Sequence, residues 1–225
     1  FHKLKFIKNT ILFLLFFTSL LTGAQELPPI QNFSSNDYNA ENQNWAISQS
    51  DDKFIYVANN SGLLEFNGAE WKLYPSPNNA TLRYVSVIDA KIYTGGYMEF
   101  GYWEKDEFGN LIYTSLSKDI KDDFIEEDFW KILKFDSFIL FQSLKRLYIY
   151  DTNNHSFKII ESEISLPKLF KIKESIYYQK IGEGVFKIEN GKPILISNDP
   201  ILQKNILVNI LVINNELLFQ TQEFG

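Results

Sequence analysis

The sequence has 225 residues, 45% hydrophobic and 16% aromatic, with 22 basic against 28 acidic residues and a formal net charge of −6. It contains no cysteine, which excludes disulfide bonds and thiolate metal sites, so the fold must be held by its own apolar core. The acidic balance, which becomes −9 once the three lysines of residues 1–24 are set aside, argues against nucleic-acid binding and against an anionic membrane surface.

Lys3, Lys5 and Lys8 precede an apolar run from Ile11 to Leu21, followed by Thr22-Gly23-Ala24 and the polar pair Gln25-Glu26. This is the layout of a secretory signal peptide over residues 1–24. The run is short against the roughly 20 apolar residues of a bilayer span, so cleavage after Ala24 and export are expected. The chain begins at Phe1, its only methionine is Met98 and it breaks off within a repeat, so a fragment of a longer protein is expected. Residues 25–43, rich in Asn, Gln, Ser and Pro, read as an extended lead-in able to supply an outer strand.

From there a strand pattern returns five times. Ile55, Ile92, Ile139, Ile176 and Leu217 mark equivalent positions, at steps of 37, 47, 37 and 41 residues. A period near forty, with an aromatic or aliphatic pair, a polar turn and usually a glycine per unit, predicts an all-β fold, a β-propeller. The first unit displays four strands, at 45–50, 54–58, 63–66 and 71–74, separated by Asp51-Asp52-Lys53, Asn59-Asn60-Ser61-Gly62 and Asn67-Gly68-Ala69. Asn-Gly is the strongest hairpin signal of the three. Blades are expected at about 44–76, 83–116, 129–162 and 168–198, with a truncated fifth over 205–225. The step of 47 contains residues 119–128, six of them acidic. With Lys121, Phe124 and Ile125 interspersed and no calcium-loop pattern, the segment reads as a solvated connecting loop or short helix.

Catalytic chemistry finds little support. Of the two histidines, His2 leaves with the leader and His155 sits in the turn Asn153-Asn154-His155-Ser156, so neither a multi-histidine metal site nor a cofactor is expected. Gly95-Gly96 and Gly182-Glu183-Gly184 lie in hairpin turns and open no helix, which leaves nucleotide binding unsupported. No carboxylate pair lies in a glycosidase motif. No catalytic residue is assigned, and the region is read as a non-enzyme. Trp45, Trp71, Trp130, Phe66 and Phe157 lie in or beside strands and are expected to pack between blades.

Tyr97, Phe100, Tyr102 and Trp103 differ, because they fall in or just after the turn between the second and third strands of blade two. In a propeller such turns open on the same face as the blade-to-blade connections. An aromatic-rich turn with Glu99 inside it and Arg83 on the preceding connection suits a sugar or organic anion, with rings for stacking and charges for orientation. The candidate ligand-binding residues are therefore Arg83, Tyr97, Glu99, Phe100 and Tyr102.

The strings Asn44-Trp45-Ala46-Ile47-Ser48-Gln49-Ser50, Phe54 through Gly68 and Trp71-Lys72-Leu73-Tyr74 resemble a blade of the two-component-regulator propellers. Residues 97–103 and 141–150 strengthen the likeness, which runs from about Leu27 to the end. The resemblance implies the periplasmic sensor half of a triple-tyrosine-domain protein of a Gram-negative inner membrane. In that family a triple-tyrosine domain, a transmembrane helix and a histidine-kinase or LuxR-type helix-turn-helix output follow. The expected function is ligand sensing for signal transduction and transcription, in response to a glycan or nutrient. A secreted propeller enzyme acting on polysaccharide and a protein-interaction scaffold are the alternatives. Expected partners are a small-molecule or oligosaccharide ligand, the membrane through a later segment, and a second copy of the full-length protein.

Overall fold

The computed structural model describes residues 30–120, 124, 126–161 and 169–223, with six further positions before residue 14. The expected leader lies almost wholly outside the described residues. Among them, no helix is long and apolar enough to cross a membrane. Residues 1–33 and 34–225 are separate units, and the second carries the sheets.

That unit is a β-propeller of four complete blades and part of a fifth, each sheet in simple up-and-down antiparallel order. Blade 1 comprises β1 (Asn44–Gln49), β2 (Ile55–Asn59), β3 (Gly62–Phe66) and β4 (Trp71–Pro75). Blade 2 is β5 (Leu82–Ile88), β6 (Lys91–Gly96), β7 (Glu99–Lys105) and β8 (Leu111–Ser115). Blade 3 is β9 (Lys131–Phe135), β10 (Phe138–Gln142), β11 (Arg146–Asp151) and β12 (Ser156–Glu161). Blade 4 is β13 (Leu169–Ile172), β14 (Ser175–Lys180), β15 (Gly184–Glu189) and β16 (Lys192–Ser197), and β17 (Leu207–Ile213) with β18 (Glu216–Thr221) opens blade 5.

The sequence makes strands that are apolar on both faces, and facing blades bury them against one another, whereas Leu211, Ile213 and Leu218 of blade 5 stay exposed. Because side chains alternate across a strand, Ile139 and Phe141 of β10 pack toward blade 2 with Tyr93 and Phe100, while Leu140 between them packs toward blade 4 with Leu169 and Ile176. Similar clusters join blade 1 to blade 2 through Tyr56, Leu63, Val85 and Ile92, and blade 4 to blade 5 through Phe170, Val185 and Ile210. Phe100 is fully buried at the hub of the blade 2–3 cluster, stacked on Phe141 at 4.2 Å and edge-on to Phe129 at 4.7 Å. β1 packs beside β5, and β5 beside β9, so the first strand of each blade is innermost.

Two glycines hold equivalent close approaches. Gly62 (φ 140°) and Gly184 (φ 129°) each open the third strand of their blade. A Cβ there would fall 2.3 Å from the Tyr74 carbonyl oxygen or 2.1 Å from that of Ser197. Only glycine combines that φ with such contact.

The lead-in departs from the expected extended form. Ser35–Tyr38 is a helical turn, α1, closed by a reciprocal Ser34–Asp37 capping pair. It seats the Tyr38 ring against Val57 and Leu64, on the face of blade 1 turned away from blade 2. Polar residues that favour caps and turns explain the difference. A second short helix, α2 (Pro200–Lys204), is capped by Asp199 and leads into β17. Gln179 joins this connection to blade 4, since its Nε2 donates to the carbonyls of Leu202 and Asn205 and its Oε1 accepts from the Leu207 amide.

The acidic connection also differs from a solvated loop. Phe124 is buried in the blade 2–3 core, and Glu127, only 3% exposed, accepts from the Tyr148 hydroxyl and pairs with Arg146. The Met98 amide donates to the Glu127 carbonyl at 2.7 Å, and Tyr97 bridges to Asp128. Charge alone suggested solvent, whereas apolar and cationic partners in blades 2 and 3 hold the segment down.

Phe100→Ala is expected to lower unfolding free energy by about 3–5 kcal/mol, as loss of a fully buried aromatic does. Chemical denaturation of the variant against the parent checks this.

Candidate functional site

The antiparallel order gives each blade two distinct ends. The upper end carries the second-to-third strand turns and the blade-to-blade connections. The lower end carries the first-to-second and third-to-fourth strand turns. Hydrogen bonds tie the upper end together: the Tyr97 amide donates to the Thr81 carbonyl, the Phe129 amide to Gly96 and the Gly182 amide to Gln203.

Three innermost strands begin with a bulge. In β1 the register slips between Asn44 and Ala46, in β5 between Leu82 and Tyr84, and in β17 between Leu207 and Asn209. The extra residues are Trp45, Arg83 and Val208. A bulge leaves its extra residue without a ladder partner and re-aims its side chain. This is how Trp45 and Arg83, from different blades, meet Trp130 just before β9. The Arg83 guanidinium carbon stands 4.4 Å from the Trp45 ring and 5.0 Å from that of Trp130, and the two indoles meet edge to face at 5.6 Å. Arg83 Nε donates to Asp128 Oδ1 at 3.2 Å. Both side chains of this pair are about one-fifth exposed, so water screens the pair less than it would a surface pair. The Trp45 indole N–H donates to Asn60 Oδ1 at 2.8 Å. Among the described residues the Trp130 indole N–H has no acceptor.

A cavity of about 500 Å³ opens beside this cradle, lined by Asn78, Asn79, Thr81, Arg83, Tyr97 and Met98. The Pro77–Asn79 turn presents two asparagines at positive φ. Tyr97 is 48% exposed, and the Arg83 Nη atoms have no hydrogen-bond partner among the described residues. An aromatic face, a guanidinium edge and two amides can seat a ring-shaped ligand bearing an acidic group.

Of the five expected ligand contacts, Arg83 and Tyr97 line this cavity together. Glu99 does not: it is 3% exposed and turned into blade 2, where its Oε1 accepts from the hydroxyls of Tyr113, Ser115 and Ser117 at 3.1, 2.6 and 2.7 Å. Phe100 is core. Tyr102 lies further down β7, facing the lower end, where its ring carries the Lys91 ammonium at 3.7 Å. Strand alternation sends residues 99–102 to different faces and depths, which the clustering of aromatics along the sequence hid. Trp45, Trp130 and Asp128 were missed as site residues. Their signal, an aromatic at the start of two inner strands, becomes visible only once the bulges are placed.

Among the described residues no three His, Asp or Glu side chains converge as a metal site. Burial is the first cause of raised tyrosine pKa values. It acts with the Glu99 carboxylate on Tyr113, and it holds Tyr148, beside Glu127, up to about 12.

No protein-family model matches the chain, and no curated protein sequence matches it. Solved structures do. The extracellular domain of BT4673 from B. thetaiotaomicron, described both as a one-component and as a hybrid two-component system, superposes with a TM-score of 0.59 at 14% identity over 88% of this chain. The extracellular domain of the hybrid two-component system BT3049 from the same organism gives 0.56 at 12%, again over 88%. YCF48 bound to a D1 peptide gives 0.57 at 9%, over 89% of this chain and 66% of its own. The chain spans 28% of the length of the two regulator domains. These likenesses establish the propeller fold, and the regulator domains among them agree with the blade resemblance read from the sequence.

Alkaline pH tests the buried phenols. Tyr56, Tyr93, Tyr113 and Tyr178 are raised, as Tyr148 is, chiefly by burial. A raised folded-state pKa contributes stability that is complete below the ordinary tyrosine value near 10 and is lost as pH rises beyond it. Unfolding free energy should therefore fall above about pH 10, with phenolate absorbance appearing together with loss of β-sheet circular dichroism. Full phenolate titration of a still-folded chain would contradict the burial.

Proposed function

We propose that this propeller is the ligand-sensing, extracytoplasmic part of a membrane-anchored signalling protein of a Gram-negative bacterium, responding to a glycan or other nutrient. The observation that carries the proposal is the upper-end cavity that Arg83, held by two indoles and Asp128, lines together with exposed Tyr97. Such a site binds and orients; it holds no nucleophile with a neighbouring base, the arrangement that nucleophilic catalysis needs. The names of the two regulator domains from B. thetaiotaomicron support a sensing role, and the blade motif supports it independently.

An acidic sugar fits best. Its carboxylate would take the outer edge of Arg83, its ring face would lie on Tyr97, and the amides of Asn78 and Asn79 would reach hydroxyls. The platform beneath is rigid, because the Tyr97 amide is bonded to the first connection and the Met98 amide to the second. Ligand contact at this turn therefore bears on two blade-to-blade connections at once, which gives binding a mechanical route into the rest of the ring.

Tyr97→Ala is the clean probe, since the ring is half exposed. Arg83→Ala also removes two cation–π contacts and strands Asp128, at a cost of about 1–3 kcal/mol. Titration calorimetry with digalacturonate and diglucuronate should show about a tenfold loss of affinity, equal to about 1.4 kcal/mol, in Tyr97→Ala, with an unchanged melting temperature. Equal affinity in parent and variant, or no binding of either acidic disaccharide to the parent, would refute this assignment of the site.

A further inference from the structure

A second cavity, of about 400 Å³, lies at the lower end of the cleft between blades 2 and 3, on the face opposite Arg83. Its walls come from the β5–β6 turn and β7 on one side, and from β9, the β9–β10 turn and the β11–β12 turn on the other. Ile88 and Ile139, both buried, are among the residues that line it.

Its chemistry differs from that of the upper site. Tyr93 and Tyr102 stand with ring centroids 5.7 Å apart. Tyr150 lines the cavity with them, its hydroxyl 2.7 Å from His155 Nδ1. Tyr93 is only 4% exposed, yet its hydroxyl has no hydrogen-bond partner among the described residues, and the residue lines the cavity. The phenol oxygen therefore reaches the cavity, where water or a ligand hydroxyl can complete its hydrogen bonding.

Both lysines of this cleft are paired with its own carboxylates. The Lys91 ammonium pairs with Glu104 at 3.1 Å, and Lys134 donates to both oxygens of Asp89 at 2.8 Å. Asp136, exposed in the β9–β10 turn, has no cationic partner among the described residues and opposes an anion. With both lysines committed and Asp136 unpaired, the cleft disfavours an anionic occupant, while fixed ammonium and carboxylate groups offer hydrogen bonds at the edges of an aromatic wall. Aromatic faces suit the C–H faces of a pyranose ring, and the surrounding polar groups suit its hydroxyls.

We infer that the lower cleft between blades 2 and 3 is a second binding site, for an uncharged sugar of one or two rings, held within the wall of Tyr93, Tyr102 and Tyr150 and hydrogen-bonded by the Tyr93 hydroxyl. It goes beyond the upper site in place and in ligand chemistry, and it stands whether or not an acidic sugar binds near Arg83. The volume lies within the range of small-ligand sites and toward its small end.

Saturation-transfer NMR and calorimetry on the full chain with cellobiose, lactose, maltose and xylobiose test this directly. At least one of these should bind. Tyr93→Phe, which removes a single oxygen, should weaken that binding about tenfold, equal to about 1.4 kcal/mol, without moving the melting temperature. Tyr102→Ala should weaken it further, and saturating digalacturonate should not displace the neutral sugar. Absence of saturation transfer from all four sugars, affinity indifferent to both substitutions, or displacement by digalacturonate would each overturn the assignment.

Discussion

The described sheets are apolar on both faces, and that constraint organises the rest. A sheet of this kind is costly to leave facing water, and successive blades cover one another through alternating side chains such as Ile139 and Leu140. The outermost strands relax the rule. β12 and β16 are largely exposed along their length, while β10 and β14 are buried. Stability therefore resides in the inner and middle strands of adjacent blades, and the turns at either end are free to vary in chemistry on a rigid base. Blade 1 has no preceding sheet among the described residues, and α1 lays Tyr38 across that face.

The innermost strands convert this packing into a site. Their bulges release one residue per strand from the ladder, and in blades 1 and 2 these are Trp45 and Arg83. The guanidinium gains two π faces and one carboxylate, and the carboxylate comes from the acidic connection that Met98, Arg146 and Tyr148 hold in place. Arg83 is thus positioned by two segments from outside its own blade, β1 and residues 128–130. A cation held so firmly can present its outer edge without the entropy loss that a free surface arginine would incur on binding.

The two ends of blade 2 consequently differ in kind. The upper end concentrates a cation with unsatisfied donors, and the lower end holds lysines already matched to acids beside three phenols. Glu99, at the upper end of β7, serves neither, because the hydroxyls of Tyr113, Ser115 and Ser117 engage it inside the sheet.

The sequence by itself determined the repeat, the number of strands per blade and most turn positions. These depend on local preferences: two-residue alternation, Asn-Gly turns, and glycine where the chain must pass close to a neighbouring strand. It also pointed to Arg83 and Tyr97, because a connection and a turn at the same end of a blade are adjacent by topology. The tertiary structure alone decided that Phe100 and Glu99 face inward, that Tyr102 belongs to the opposite end, and that Trp45, Trp130 and Asp128 complete the cradle. A single bulged residue shifts which side chain reaches the axis. Ring packing then sets which blades meet, and neither leaves a mark in a sequence read one strand at a time.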